Sequence, residues 1–490
     1  MVKLSTRFVV LLALGGLLSS PGKAVAGTPE ENIALAMPPA PGKHTEVAPS
    51  PLTATVTAAS KRASKDPSPL RWQKLAPKAI LTDAVVVNPN KTFQTIDGFG
   101  GAFTDSACFV FNRMPAPARK ELFHQLFDPS QLNLNVCRTC IGASDYATEA
   151  YSYCEGQPDP KMERFSIAHD EKWIIPMIKE ARQVNPQMRI FGSPWSPPGW
   201  MKSNKSMLGG SMQRKYMSAY AQYFAKFVQA YEKHGVPIAS VTVQNEVDTD
   251  QDGRMPACAW PQEYECDFVA HELGPTFERE KIKTKIWIID HNYNMWGRAL
   301  ASMEDPPVRK YVSGIAWHGY MGDPGKMTVV HDAYPNLGMY WTEGGPDIND
   351  KNYASDWSKW SSQFTGILRN WSSSVTVWNL ALDEAGKPNI GPFSCGGLVT
   401  VDSKTNAVTY SGQYWALSQF ASHVKHGAVR VDSQGTITGV SHVAFKNPDG
   451  SYVAVVTNEG TAPHTINLLL GDHVAKLDLP ADSVTTYTWH

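Results

Sequence analysis

ASVTVQNEVD, residues 239–248, is a short β-branched run that stops in an amide and a carboxylate, Asn245 and Glu246. MYWTEGGPD, residues 339–347, has the same form and delivers Glu343 ahead of two glycines. Short apolar runs bounded by turn residues read as buried strands, so each of these places a carboxyl group where a strand ends. Working outward, six more runs share the pattern: TIDGFGGAF at 95–103, LNVCRTCIG at 134–142, RIFGSPW at 189–195, KIWIIDHN at 285–292, SGIAWHGY at 313–320 and SVTVWNLAL at 374–382. With SVTVQNE and GMYWTEGG they make eight strands.

Amphipathic helical stretches lie between these runs. In RKYMSAYAQYFAKFVQAYEKHG, residues 214–235, Tyr216, Tyr220, Tyr223, Phe227, Val228 and Tyr231 recur at three- and four-residue spacing, the stripe of a helix that buries one face. DEKWIIPMIKEARQVN, residues 170–185, carries the same stripe and ends before Pro186, which cannot continue it. Eight strand–helix units predict an α/β fold, a closed (β/α)8 barrel over 93–425.

The grammar changes outside that span. GVSHVAFKNPDGSYVAVVTNEG and HTINLLLGDHVAKLDLPADSVTTYTWH read as strands alone, and Asp449-Gly450 marks a hairpin between two alternating runs. LAPKAILTDAVVVNP, residues 75–89, is strand-like without a helix beside it. The two ends, 71–92 and 426–490, are therefore expected to meet in one small β-sandwich beside the barrel. Residues 27–70, rich in Pro, Ala, Ser and Thr and without apolar periodicity, read as a disordered tether. Residues 1–26 read as an export signal, with Lys3 and Arg7, the apolar run FVVLLALGGLL and the small-residue site Ala24–Ala26. That run is too short to span a bilayer, and no later stretch is long enough, so a secreted or periplasmic protein with no membrane segment after cleavage is expected.

The chain balances 45 basic against 46 acidic side chains, which argues against nucleic acid or an anionic membrane surface as partner. Fifteen tryptophans suit carbohydrate, whose flat apolar ring faces stack on indole. Seven cysteines in an exported chain permit disulfides, at Cys258 with Cys266 or among Cys137, Cys140 and Cys154, and leave at least one unpaired. The Cys-x-x-Cys at 137 and 140 has no second pair at metal-ligand spacing, so no metal site is expected, and no cofactor. The oligomeric state is not legible.

Catalytic groups of a β/α barrel lie at the C-terminal ends of its strands. There the sequence places Asp105, Trp195, Asn245, Glu246, His318, Tyr320, Glu343, Trp378 and Asn389. Acid, amide, imidazole and indole together suit a neutral polyhydroxylated ring and protonation of its glycosidic oxygen. Two carboxyls on separate strand ends are what a retaining glycosidase needs, held about 5–5.5 Å apart; an inverting enzyme needs about 6.5–9.5 Å. Asp105 has a second reading as a helix N-cap, Trp195 and Trp378 as barrel filler, His318 as a structural histidine and Asn389 as a turn residue.

The strings GFGGAFTDSA, SPWSPPGWMK, VTVQNE, AWHGY, WTEGG and WNLALDEAGKPNIGP, in this order from about Phe93 to Cys395, resemble the successive motifs of glycoside hydrolase family 30, which includes glucosylceramidases and β-1,6-glucanases. The resemblance implies a retaining mechanism with Glu246 as acid/base and Glu343 as nucleophile, and Asn245 bonded to the sugar 2-OH. It places Asp105 and Trp195 on the non-reducing side of the sugar, Trp378 on the lining of the same subsite, and His318 and Tyr320 beside the nucleophile. It implies a β-glucan or β-glucoside substrate; xylan-directed or β-fucosyl hydrolysis and a non-catalytic carbohydrate-binding barrel are the alternatives. Family members commonly carry Pro after the acid/base; this chain has Val247 and then a polar loop, DTDQDGRMPACAWPQEYE, on the leaving-group side.

Overall fold

The computed structural model describes residues 49–66, 69–76 and 81–490; the expected signal segment and the first part of the expected tether lie outside them. The eight anticipated strands form the barrel in chain order: β1 Gly98–Phe103, β2 Val136–Cys140, β3 Arg189–Ser193, β4 Ile238–Thr242, β5 Lys285–Asn292, β6 Val312–His318, β7 Gly338–Glu343 and β8 Ser372–Asn379. Each is parallel to its neighbours, and β8 closes on β1 with Val375 opposite Phe99. Gly100 permits the closest of these approaches, because a Cβ there would stand 1.8 Å from the Val136 carbonyl oxygen of β2.

The barrel interior has two layers. Val136, Phe191, Trp287, Ala316 and Tyr340 form an apolar plug at the lower end, with Trp287 and Tyr340 stacked at 4.0 Å. Strand periodicity of two then puts Arg138, Ser193, Thr242 and Thr342 one step higher, toward the catalytic end. β5 breaks that rhythm. Ile289 and Asp290 have left-handed backbone, φ 76° and 46°, and the pairing to β6 slips there. This bulge turns Asp290, not Ile289, into the barrel, a strained arrangement for a β-branched residue. Glu265 braces it by accepting the Ile289 N–H at 2.9 Å while bound to Arg298.

Both chain ends join a second body, as expected. Its ten strands run in the order Lys61–Lys65, Thr53–Ala58, Ser483–Trp489, Tyr452–Asn458, Val440–Lys446, Val429–Gln434, Ala84–Thr95, His464–Leu470, His473–Leu479 and Gln73–Lys74. Trp72, beside the last strand, packs on Trp489 near the other edge, ring centroids 5.7 Å apart, so the sheet folds over a core containing Val85, Val431, Ile466, Leu477 and Tyr487. Asp449-Gly450 turns the hairpin between Val440–Lys446 and Tyr452–Asn458.

One expectation is corrected here. Residues 53–58 and 61–65 are strands, not tether, and Leu52 and Ala54 lie in the sandwich core. TATVTA alternates β-branched residues, but Thr53–Ala58 gains its partner only from the far C-terminus, Ser483–Trp489, which composition cannot show. The strand Ala84–Thr95 also runs past the expected boundary at residue 93.

The helices Trp357–Arg369 and Gly412–Ala421 cement the sandwich to the barrel. Trp357 Nε1 donates to the Asp482 carbonyl at 2.8 Å, and Gln419 Nε2 donates to Thr57 Oγ1 at 2.7 Å. All seven cysteines are free thiols, and Cys137 and Cys140 are buried. Among the described residues no helix is long and apolar enough to cross a membrane.

Candidate active site

Glu246 follows β4 with φ 54°, a left-handed backbone that a non-glycine residue holds only under constraint. Its N–H donates to the Asp290 carbonyl of the β5 bulge at 3.0 Å, so one strained turn leans on the other and aims the carboxylate across the barrel mouth. Glu343 ends β7, 6% exposed. His318, at the end of β6 and fully buried, stands between the two: its Nδ1 is 3.5 Å from Glu246 Oε1 and its Nε2 3.8 Å from Glu343 Oε2.

The two glutamates have different surroundings. Glu343 accepts from Arg138 Nη1 and, at 3.2 Å, from the Tyr320 hydroxyl. Glu246 accepts from Gln251 Nε2 at 2.7 Å and faces His318 and His291. Gln251 comes from the polar loop after Val247, so that loop reaches the Glu246 carboxylate itself.

Arg138, fully buried, organises the floor. Besides Glu343 it donates to Asn245 Oδ1 at 2.9 Å and to Asp290 Oδ2 at 2.7 Å. Asp290 also accepts from Ser193, Thr242 and Thr342 at 2.7–2.8 Å and lies 3.1 Å from His318 Nε2. Burial alone raises a carboxyl, but the Arg138 charge, His318 and Thr342 together hold Asp290 well below the usual range. For Arg138 burial pulls down while Asp290 and Glu343 raise it further. His318 is pushed up to about 9, because Glu343, Asp290 and Glu246 outweigh its burial. Burial raises Glu246, yet His318, His291 and Gln251 bring it below its ordinary range. Nearby, burial and the charges of Glu343 and Glu246 push Asp145 well up.

Of the other expected residues, Asn245 and Tyr320 join the pair as described. Tyr320 is 47% exposed at the rim with its hydroxyl turned inward. Asp105 lies in the first turn of the helix Asp105–Arg113, but Thr104 is the N-cap. Its carboxylate accepts from the Thr148 N–H and hydroxyl, both at 2.7 Å, and contacts His169 Nε2 at 2.7 Å, without a hydrogen bond to either glutamate.

Trp195 and Trp378 are each 2% exposed, stacked on each other at 4.9 Å, with the Arg138 guanidinium 4.6 Å over Trp195. Their faces are spent on each other and on Arg138, the cation–π arrangement that steadies a buried guanidinium. Asn389 closes its own turn, donating to the Phe393 carbonyl at 2.5 Å and accepting the Gly391 N–H at 2.6 Å.

Arg138, Asp290, His291 and Gln251 went unread in the sequence. An arginine inside NVCRTC was a visible signal, since a charge in an apolar strand needs a buried partner. Asp290 and His291 sit at a strand end, where the rule that found Glu246 also applies.

These electrostatics set a pH window for stability. His318 is raised above 6.5, so its contribution is full below pH 6.5 and lost as pH rises through about 9. Asp290 and Glu246 are lowered from 3.8 and 4.5, so theirs is full above those values and lost in acid. Asp170, raised by burial to about 6 against the hydrogen bonds of three tyrosines, costs stability as pH rises from 3.8 to about 6 and adds nothing above that. The melting temperature is expected to peak between pH 4.5 and 6.5 and to fall toward pH 9; a rise between pH 7 and 9 contradicts the charge assignment.

A closed β/α barrel with two carboxyl groups over a buried arginine at its mouth defines the class, a glycosidase barrel. The model of the glycosyl hydrolase family 30 TIM-barrel domain matches residues 96–424, and that of the family's beta sandwich domain matches 427–487. The chain belongs to glycosyl hydrolase family 30, enzymes that hydrolyse glycosidic bonds. It is 34% identical over 391 residues to an endo-1,6-beta-D-glucanase of Neurospora crassa, covering 76% of this chain and 80% of that protein. It is 29% identical over 429 residues to the lysosomal acid glucosylceramidase of Mus musculus, covering 83% of each. The solved endo-beta1,6-glucanase BT3312 superposes with a TM-score of 0.81 at 28% identity, covering 90% of this chain and 99% of that one.

Proposed function

We propose that the protein is an exported retaining glycosidase that hydrolyses β-glucosidic bonds, with β-1,6-glucan as its substrate. The observation that carries this reading is the unequal setting of two carboxylates around one imidazole. Glu343, held by a guanidinium and a phenol, is oriented as nucleophile; Glu246, facing His318, exchanges a proton. In the first step a Glu343 oxygen bonds to the anomeric carbon as the glycosidic C–O bond breaks, and Glu246 protonates the departing oxygen. In the second, Glu246 takes a proton from water, whose oxygen displaces Glu343. The proton Glu246 gives in the first step it regains from water in the second, while His318, protonated up to about pH 9, stays charged beside it and stabilises its carboxylate form. Asn245, fixed by Arg138, is placed to bond the sugar 2-OH, an interaction that tightens in the transition state.

The likeness to endo-1,6-β-glucanases favours β-1,6-glucan. A glucosylceramidase-like reading has one observation of its own: Tyr320, Met321 and Phe393 are exposed apolar residues, 47%, 60% and 42%, suited to an apolar aglycone. Hydrolysis of β-1,6-glucan, glucosylceramide and an aryl β-glucoside, measured side by side, decides between them. Glu246→Ala is expected to cost about 10²–10⁴-fold on substrates whose leaving group needs protonation and far less on activated aryl glucosides. Equal losses on both remove Glu246 from the acid role.

A further inference from the structure

Two ring nitrogens facing Glu246 have no hydrogen bond. His291 Nδ1 lies 3.6 Å and His318 Nδ1 3.5 Å from the same oxygen, Glu246 Oε1, and both nitrogens are buried without a hydrogen-bond partner. His291 is 8% exposed and His318 fully buried. The other nitrogen of each ring is tied to a carboxylate, His291 Nε2 to Asp248 at 2.7 Å and His318 Nε2 to Asp290 at 3.1 Å. Imidazoles whose far nitrogen is held by a carboxylate present the near lone pair in a fixed direction, the arrangement in which histidines bind metal. Once His318 gives up its proton, two lone pairs and a carboxylate oxygen converge in one buried space, where a cation can take the place of that charge.

We propose that Glu246, His291 and His318 form a three-ligand site for a divalent transition cation of the zinc class, and that its occupancy takes Glu246 out of catalysis. The inhibitory half rests on the acid/base role given to Glu246 above. The dimensions fit. With bonds of about 2.0–2.2 Å, two ligands of a tetrahedral zinc stand about 3.3–3.5 Å apart, against the 3.5 and 3.6 Å found here, and the three ligand atoms lie within 4.8 Å of one another. The pocket side remains for a water, as in other three-ligand sites. Two imidazoles and one carboxylate select zinc, copper(II), nickel or cobalt over calcium and magnesium, which prefer all-oxygen shells. The ligands come from the ends of β4, β5 and β6, so no spacing motif announces them and a search of the cysteines alone misses them.

Cobalt(II) tests this directly. Binding requires the proton on His318 to leave, so the metal-free full-length chain is titrated with cobalt chloride at pH 8. Visible ligand-field absorption is followed, and turnover of phenyl β-glucoside, whose leaving group needs protonation, is measured alongside. The expected result is one cobalt per chain with the bands of a four- or five-coordinate ion, displaced by zinc, and turnover lost in step with binding and restored by chelator. His291→Gln should weaken cobalt binding by more than about tenfold. Asp248→Asn, at a partly exposed residue that only anchors the ring, should weaken it by about 10–100-fold and serves if the first variant does not fold. Unchanged affinity and spectrum in these variants, or no ligand-field bands in the wild type, overturns the site while leaving the role of Glu246 intact. Cobalt bound through His291 with turnover undiminished overturns the inhibitory half and, with it, the acid/base assignment.

Discussion

Replacing Glu343 with Ala is expected to lower kcat by roughly four orders of magnitude or more on every β-glucoside tested, whatever the leaving group, as losses of catalytic nucleophiles do. The reason is on the barrel floor. Arg138 and Tyr320 both donate to this carboxylate and hold its two oxygens in the orientation the proposed attack requires. The void left by the side chain admits a small anion, so azide should restore turnover and yield an α-glucosyl azide. A variant that keeps more than about one-hundredth of wild-type activity contradicts the nucleophile assignment. The same variant should fold, because Arg138 retains Asp290 as its counter-charge.

The second large effect falls on Arg138. Its guanidinium neutralises Asp290 and Glu343 from a fully buried position, orients Asn245 and packs against Trp195. Arg138→Met keeps much of the volume and leaves two carboxylates without their cation. Removing one partner of a buried pair costs about 3–5 kcal/mol, and urea unfolding at pH 6 should show a loss of that size together with near-complete loss of turnover. Arg138→Lys should recover little of either, since a single ammonium cannot serve Glu343, Asn245 and Asp290 at once. A stability loss under about 1 kcal/mol contradicts the view that this arginine holds the floor together.

The barrel was legible because its strands are runs of β-branched and aromatic residues separated by striped helices, and Glu246 and Glu343 were legible because each stands where such a run ends. The local rules fail where distant pairing or irregular backbone decides. TATVTA at 53–58 becomes a strand only through Ser483–Trp489. Asp290 enters the site because the β5 bulge shifts the alternation by one residue, and a period-two reading assigns the inward place to Ile289. Trp195 and Trp378 are visible as aromatics in their runs, but their burial follows from contacts with each other and with Arg138, which no local pattern shows. Arg138 lies inside its strand, below the ends where catalytic groups were sought.

The central claim is that Glu246 and Glu343 act as a double-displacement pair. Proton NMR of the first product formed from a β-glucoside tests it most directly, read before the sugar's anomers equilibrate in water. Two successive inversions at the anomeric carbon predict that the β-anomer appears first and the α-anomer only later, at the rate of spontaneous mutarotation. An α-anomer formed first means a single inversion, with water as the attacking group, and contradicts the assignment of Glu343 as nucleophile.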